Sequence, residues 1–232
     1  MLTKYFQQLE AEVAAHVAAD RVKQGRYKTC FIGCLAKGKD SPEFLESEYG
    51  IPLAVSRIAE SIFEGLTPDE APLFFAAFPA AVESDGKDLS RVGWQFLAEE
   101  LRLLPPVEPE IQAIINSVID GIDLLAEGKK WPEKDARASV RAVASWVDGW
   151  DAWAASAVAD AANAADLTAS DCDYLAAELA ARAADRVASA AELAASDFDY
   201  LAAELATRRR QRDLLLKLIK EAPITQQENN NG

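Results

Sequence analysis

The sequence predicts an all-α protein, a helical N-terminal region followed by long alanine-rich antiparallel helices. Three observations lead there. Helix-start signals, a Ser or Thr directly before Pro, recur in the first half. Apolar residues recur at spacings of three and four, and no segment sustains the alternation of a strand. Residues 136 to 206 hold 28 alanines, one glycine and no proline, and alanine loses the least side-chain entropy on entering a helix.

Taken in order, Ser41-Pro42-Glu43 and Thr67-Pro68-Asp69-Glu70 each read as a helix start, the second with Glu70 completing a capping box. After Gly50, apolar residues at 51, 55, 58, 62 and 66 predict a helix of about four turns that stops at Gly65. Leu89, Val92, Phe96, Leu97, Leu101 and Leu104 predict another, stopped by Pro105-Pro106. The next opens at Pro109 and closes at Gly128, with Ile111, Ile114, Ile115, Val118, Ile122 and Leu125 on one face. Only Thr29-Cys30-Phe31-Ile32 has the composition of a short strand.

In the alanine-rich region Asp135 reads as a start, and Val143, Trp146, Trp150, Trp153 and Ala157 share a helix face, so three tryptophans form a candidate interaction surface. A repeat follows: residues 169–182 recur at 195–208 with twelve of fourteen positions identical, Cys172 standing where the second copy has Phe198. Two readings are open. The Ser-Asp pairs at 170 and 196 suit helix caps and would give a hairpin. Alternatively, apolar positions stay in phase across both copies, and 26 residues over seven turns is close to a helical period, so the helix runs on.

The 232 residues carry 38 acidic and 24 basic side chains, net charge -14. The acidity is concentrated in residues 41–128, with seventeen acids against four bases. These counts argue against a general nucleic-acid binder, and no direct nucleic-acid contact is expected. Hydrophobic residues make up 50 % of the chain, enough for one or two cores. No stretch approaches the roughly 18 uncharged apolar residues of a membrane span, and the opening MLTKYFQQLEAEV has acids where a secretory signal has its apolar region. Three cysteines form no disulfide framework and fit a reducing compartment, so the expected location is cytoplasmic, without membrane association. The compositional shift near Lys129-Lys130-Trp131-Pro132 divides the chain into an acidic helical domain (1–130), an alanine-rich long-helix region (131–222) and a disordered tail (223–232).

Residues able to carry chemistry are few. Cys30 and Cys34 are separated by three residues, and with only Cys172 and His16 beside them a zinc set is incomplete. A reactive thiol is the functional reading of this segment, with Lys28, Lys37 and Lys39 available to lower a thiolate pKa; buried structural thiols are the other. His16 has no evident Ser or Asp partner. Glu60 with Glu64, Asp85 with Asp88, Asp120 with Asp123, and Glu99 with Glu100 offer paired carboxylates, which solvated helix faces also explain. A single His excludes a Glu-x-x-His di-metal bundle. Phosphate loops, dinucleotide fingerprints and the Gly-x-Ser-x-Gly elbow are absent. Lys37 to Pro42 has the residues of a phosphate-holding turn and equally those of an ordinary solvent turn. Arg208, Arg209, Arg210 and Arg212 form a basic cluster suited to nucleic acid, an acidic lipid surface, the protein's own acidic middle, or the end of a long helix. No cofactor or metal is expected.

The segments Cys30-Phe-Ile-Gly-Cys34, Tyr49-Gly-Ile-Pro52, Ile62-Phe-Glu-Gly-Leu66 and Gly86-Lys-Asp-Leu-Ser90, in this order, resemble a group of uncharacterised bacterial and phage proteins with alanine-rich helical second halves. The resemblance covers residues 28 to 100 and implies a prokaryotic or phage origin. It brings no activity with it. Similar sequences have His shortly after the second cysteine, where this chain has Ala36-Lys37.

The reading that follows is a non-enzymatic helical module that binds a protein partner, as a single chain or as a homo-oligomer, acting as a phage or bacterial regulator or inhibitor of a host protein. Two alternatives stand beside it: an acidic nucleic-acid mimic, which requires a continuous carboxylate stripe, and a small-molecule or thiol-dependent protein using Cys30 to Cys34.

Overall fold

The computed structural model describes residues 2–26, 28–38, 41–104, 106–144, 152–168, 173–194 and 200–225. Among the described residues the fold is all-α, with eleven helices and no sheet. They are α1 (Phe6–Ala18), α2 (Phe31–Leu35), α3 (Pro42–Tyr49), α4 (Leu53–Gly65), α5 (Glu70–Val82), α6 (Val92–Leu101), α7 (Pro109–Ala126), α8 (Glu133–Ala144), α9 (Ala152–Thr168), α10 (Asp173–Ala194) and α11 (Tyr200–Glu221). No described helix is long and apolar enough to cross a membrane. The chain forms two compact units, residues 1–92 with 213–232, and residues 93–212. The compositional boundary at 129–132 therefore lies inside the second unit.

In the first unit the expected starts hold. Ser41 Oγ accepts from the Phe44 N–H at 3.3 Å and caps α3, which ends at Gly50 in a left-handed conformation (φ 69). A Cβ there would lie 2.0 Å from the Leu2 carbonyl oxygen, so glycine is required twice over. Thr67 Oγ1 accepts from the Glu70 N–H and donates to its carboxylate at 2.8 Å. The segment read as a short strand is instead the start of α2. Cys30 is its cap, the sulfur accepting from the Gly33 N–H at 3.4 Å, while the Glu60 carboxylate accepts from the Ile32 N–H at 2.7 Å. Both serve amides that the first turn leaves without helical partners. Phe31 then enters the centre of the unit, its ring 5.1 to 6.3 Å from those of Phe63, Phe74, Phe75 and Phe78. That aromatic cluster, from α2, α4 and α5, is the core.

Both chain ends close this unit on residues 86–88. The Thr3 N–H donates to the Lys87 carbonyl and the Gly86 N–H to that of Thr3. On the other side the Asp88 N–H donates to the Pro223 carbonyl and the Thr225 N–H to that of Gly86, all at 2.8 Å. Pro223 to Thr225, assigned by composition to a disordered tail, are thus held in place; residues 226–232 lie outside the described residues.

In the second unit the core runs from Leu97 and Leu101 through Ile115, Val118, Ile122 and Trp131 into alanine-lined α9 and α10. Trp131 lies against Gly121 of α7, where a Cβ would come within 2.1 to 2.4 Å of the indole ring. The repeat is not one helix. Arg186 Nη1 donates to the Ser156 carbonyl at 3.0 Å, and Arg208 Nη1 to Asp185 Oδ1 at 2.7 Å. In an unbroken helix those residues would stand about 45 and 34 Å apart at 1.5 Å per residue. The chain therefore reverses between α9 and α10, which pack along each other, and turns back again before α11, whose Arg208 and Gln211 reach Asp185 and the Ala184 carbonyl of α10. The in-phase apolar pattern reflects two helices built on one motif.

Candidate functional site

Cys30 and Cys34 are 6 % and 1 % exposed, wedged beside the aromatic core. Burial pushes the Cys30 thiol up to about 12, helped by its hydrogen bond to and the charge of Glu60, and pushes Cys34 up to about 11. Cys34 Sγ donates to the Thr29 carbonyl at 3.4 Å. Lys37 does not offset this, since its ammonium sits 5.7 Å over the Phe44 ring; Lys39 lies outside the described residues, as does Cys172. The thiolate is the nucleophile, so this environment opposes the reactive-thiol reading: a carboxylate and apolar rings surround the sulfurs where a cation was required.

The other candidate groups disperse. His16 is half-buried in the last turn of α1, its Nδ1 without a hydrogen-bond partner. Glu60 serves α2, Glu64 accepts from the Gly25 N–H at 2.8 Å, Asp85 from the Phe6 N–H at 2.7 Å and Asp88 from the Ser90 N–H at 3.1 Å. Asp123 and Glu99 both take Arg102. Much of the acidity of residues 41–128 thus caps helix ends and pairs arginines. Asp120 is exposed. Among the described residues no cluster of three or more His, Cys, Asp or Glu is placed to hold a metal ion. Hollows of about 420 Å³, lined by Ile114, Ser117, Asp135, Ser139 and small neighbours, and about 430 Å³, lined by Thr3, Lys4, Asp85, Ile224 and Thr225 among others, include none of Cys30, Cys34 and Lys37.

The basic cluster does find the acidic middle. Arg210 clamps the Glu100 carboxylate through both terminal nitrogens, at 2.5 and 2.9 Å, and Gln211 Nε2 donates to the same carboxylate at 2.8 Å and to the Ala184 carbonyl at 3.0 Å. Arg208 holds Asp185 and donates to Gln211 Oε1 at 3.2 Å. Glu100 and Gln211 are fully buried, so this network anchors α11 rather than offering a basic surface. Arg209 is exposed and Arg212 half-buried. Trp146, Trp150 and the Trp153 side chain lie outside the described residues.

Sequence reasoning missed Lys87, 1 % exposed, whose ammonium donates to the Ala81 carbonyl (3.2 Å), the Lys220 carbonyl (2.9 Å) and Glu83 Oε2 (3.0 Å). It closes the C-terminal ends of α5 and α11, where positive charge is favoured. Its burial depends on partners 133 residues away, which no local pattern announces.

Among the described residues, the two repeat copies differ in what they bury. In the first repeat copy Ala176, Leu179, Ala180 and Ala183 are 0 to 8 % exposed, on α10, which packs along α9. In the second copy the equivalent Ala202 and Ala206 are exposed and Leu205 is half-buried, while Leu201, 81 % exposed, matches Leu175, which is already 48 % exposed in the first copy. The first two turns of α11 carry to solvent the face that the same sequence buries in α10. No family model, curated protein or solved structure matches the chain.

Proposed function

We propose that this protein is a non-enzymatic helical interaction module that presents the opening turns of α11 to a protein partner. The reading is carried by the unequal burial of the two repeat copies. Sequence-identical alanines at 176 and 202, and at 180 and 206, are covered in one copy and bare in the other. Alanine-lined faces let helix axes approach closely, so such a face suits a second helix better than a small ligand. The thiol-dependent alternative loses ground to the raised thiol pKa values. The nucleic-acid mimic loses ground because Glu60, Glu64, Glu70, Asp85, Asp88 and Glu100 accept hydrogen bonds within the chain instead of standing free as phosphate substitutes.

The test is affinity capture from a prokaryotic lysate with the wild-type chain and with the double variant Ala202→Glu, Ala206→Glu. Glutamate suits a helix and both sites are exposed, so the fold is expected to persist by circular dichroism. A stoichiometric protein partner held by the wild type and lost by the variant supports the reading; a partner retained by the variant removes this surface from it.

A further inference from the structure

We infer that the loop over residues 20–29, together with the end of α2, is a docking edge for a short acidic segment of a separate partner protein. The edge belongs to the first unit and uses none of the residues on which the α11 reading stands.

Residues 20–38 carry five bases, Arg21, Lys23, Arg26, Lys28 and Lys37, against the single acid Asp20. All five bases are exposed. Lys23 is committed locally, its ammonium 2.6 Å from Asp20 Oδ1, and Lys37 lies over the Phe44 ring. Among the described residues, the side chains of Arg21, Arg26 and Lys28 meet no carboxylate. Lys28 runs against the end of α2, since a Cβ on Gly38 would meet its Cγ at 3.9 Å, and this sets it beside Lys37.

The loop is held in place by the rest of its unit. Gln24 Nε2 donates to the carbonyls of Phe63 (2.6 Å), Glu64 (3.2 Å) and Leu66 (2.8 Å) at the end of α4, and Val22 is buried. The Lys23 N–H donates to the Thr29 carbonyl and the Thr29 N–H to that of Arg26, both at 2.8 Å, so the loop also closes on itself. Two acids reach this region from α4, and both are engaged: Glu60 accepts from the Ile32 N–H and Glu64 from the Gly25 N–H. With the backbone fixed by folding, a bound segment has only side chains to order, which lowers the cost of association.

The partner's chemistry follows from charge. Residues 20–38 sum to +4 in a chain of net charge -14, which leaves -18 on the remaining residues. A nucleic acid or a bilayer spreads its negative charge far beyond the roughly 8 Å Debye length of physiological salt, and so would also meet that negative surround. A few carboxylates on one short segment stay within reach of the edge alone. A second copy of this chain is poorly suited, because it brings its own -14 and engages Glu60, Glu64, Glu70, Asp85, Asp88 and Glu100 inside its fold. Exposed charge pairs are individually weak, so the binding is weak and salt-sensitive.

The experiment titrates the full ¹⁵N-labelled chain with a fluorescent oligoglutamate peptide, followed by anisotropy and amide shifts, with a Gly-Ser peptide of equal length as the neutral control. The expected result is saturable binding of the acidic probe alone, weakened by added salt, with shifts concentrated on residues 20–38. The triple variant Arg21→Gln, Arg26→Gln, Lys28→Gln is expected to bind about tenfold more weakly, the summed effect of three exposed pairs. A second triple variant, Lys130→Gln, Lys134→Gln, Arg141→Gln, removes the same charge from other exposed positions and is expected to bind as the wild type does. No saturable binding, equal losses in the two triple variants, or self-association of the wild type through residues 20–38 would each overturn the inference. Tighter binding of a single-stranded DNA oligonucleotide or of phosphatidylserine vesicles at the same residues would overturn it too, since the edge would then serve an extended polyanion.

Discussion

Replacing Gly121 by Ala sets two effects of opposite sign against each other. Gly121 lies in the middle of α7, where alanine is favoured over glycine by about 1 kcal/mol through backbone entropy alone. Propensity therefore predicts a more stable protein. The structure predicts the reverse, because the added Cβ would meet Trp131 Cε2 at 2.1 Å, Cδ2 at 2.3 Å and Cζ2 at 2.4 Å. Carbon contacts settle near 3.5 Å or more, so the ring or α7 must retreat by over an ångström. Trp131 is 8 % exposed and packed in the core of its unit. Overpacking of that kind costs about 1–3 kcal/mol, and expulsion of the ring approaches the roughly 3–5 kcal/mol of a Trp→Ala truncation. Net of propensity, Gly121→Ala is expected to destabilise by about 2 kcal/mol. Urea denaturation followed by far-ultraviolet circular dichroism measures it. In a Trp131→Ala background the obstacle is gone, and the same substitution should become neutral or stabilising. A Gly121→Ala protein as stable as wild type, or no sign change between backgrounds, would refute the reasoning.

Other expectations follow from the buried polar groups. Glu100→Ala strands the Arg210 guanidinium, whose side chain is 36 % exposed and so partly rehydrated, and the Gln211 amide; a cost of about 2–4 kcal/mol is expected by urea denaturation. A double-mutant cycle with Arg210→Ala should give a coupling above about 1 kcal/mol, whereas the exposed pair Arg137 with Glu133 should give under about 0.5 kcal/mol. Lys87→Met leaves the Ala81 and Lys220 carbonyls without their shared donor and should cost about 2–3 kcal/mol in the same measurement. For the cysteines, a thiol pKa raised in the folded state contributes stability that is complete below the unfolded thiol value near 9 and is lost as pH rises toward about 11 for Cys34 and 12 for Cys30. Stability should therefore decline across that alkaline window, less steeply in a Cys30→Ser, Cys34→Ser variant. Both thiols should resist a thiol-labelling disulfide reagent at pH 8 until the chain is unfolded, and rapid labelling of the native protein would contradict their placement.

What the sequence made legible was local. Ser41, Thr67, Gly50 and Gly65 mark helix ends because capping chemistry acts within four residues, and the 3.6-residue spacing of Ile111 to Leu125 reveals α7 directly. The strand-like Thr29 to Ile32 misleads because a β-branched, apolar run of four is equally suited to the first turn of a buried helix once Glu60 supplies an acceptor for its amide. The repeat is ambiguous for a related reason: 26 residues satisfy the phase of one helix and of two. Pairs such as Arg186 with Ser156 and Arg208 with Asp185 decide between them. Lys87, Glu100 and Gln211 escaped because their roles rest on partners more than a hundred residues away in sequence. The Arg208 to Arg212 cluster was visible as charge, yet its destination inside the unit was not. The bare face of α11 was invisible for the opposite reason, since its sequence is that of the covered face of α10.

The most direct test of the central claim is the native mass of the complex recovered from a prokaryotic lysate, by light scattering with mass spectrometry of its components, for the wild type and for Ala202→Glu, Ala206→Glu. The account predicts a defined complex with a protein that presents a helix, present for the wild type and lost for the variant while the variant's own fold is unchanged. The same complex from both chains, or a chain free of partners that turns over a metabolite, would contradict it.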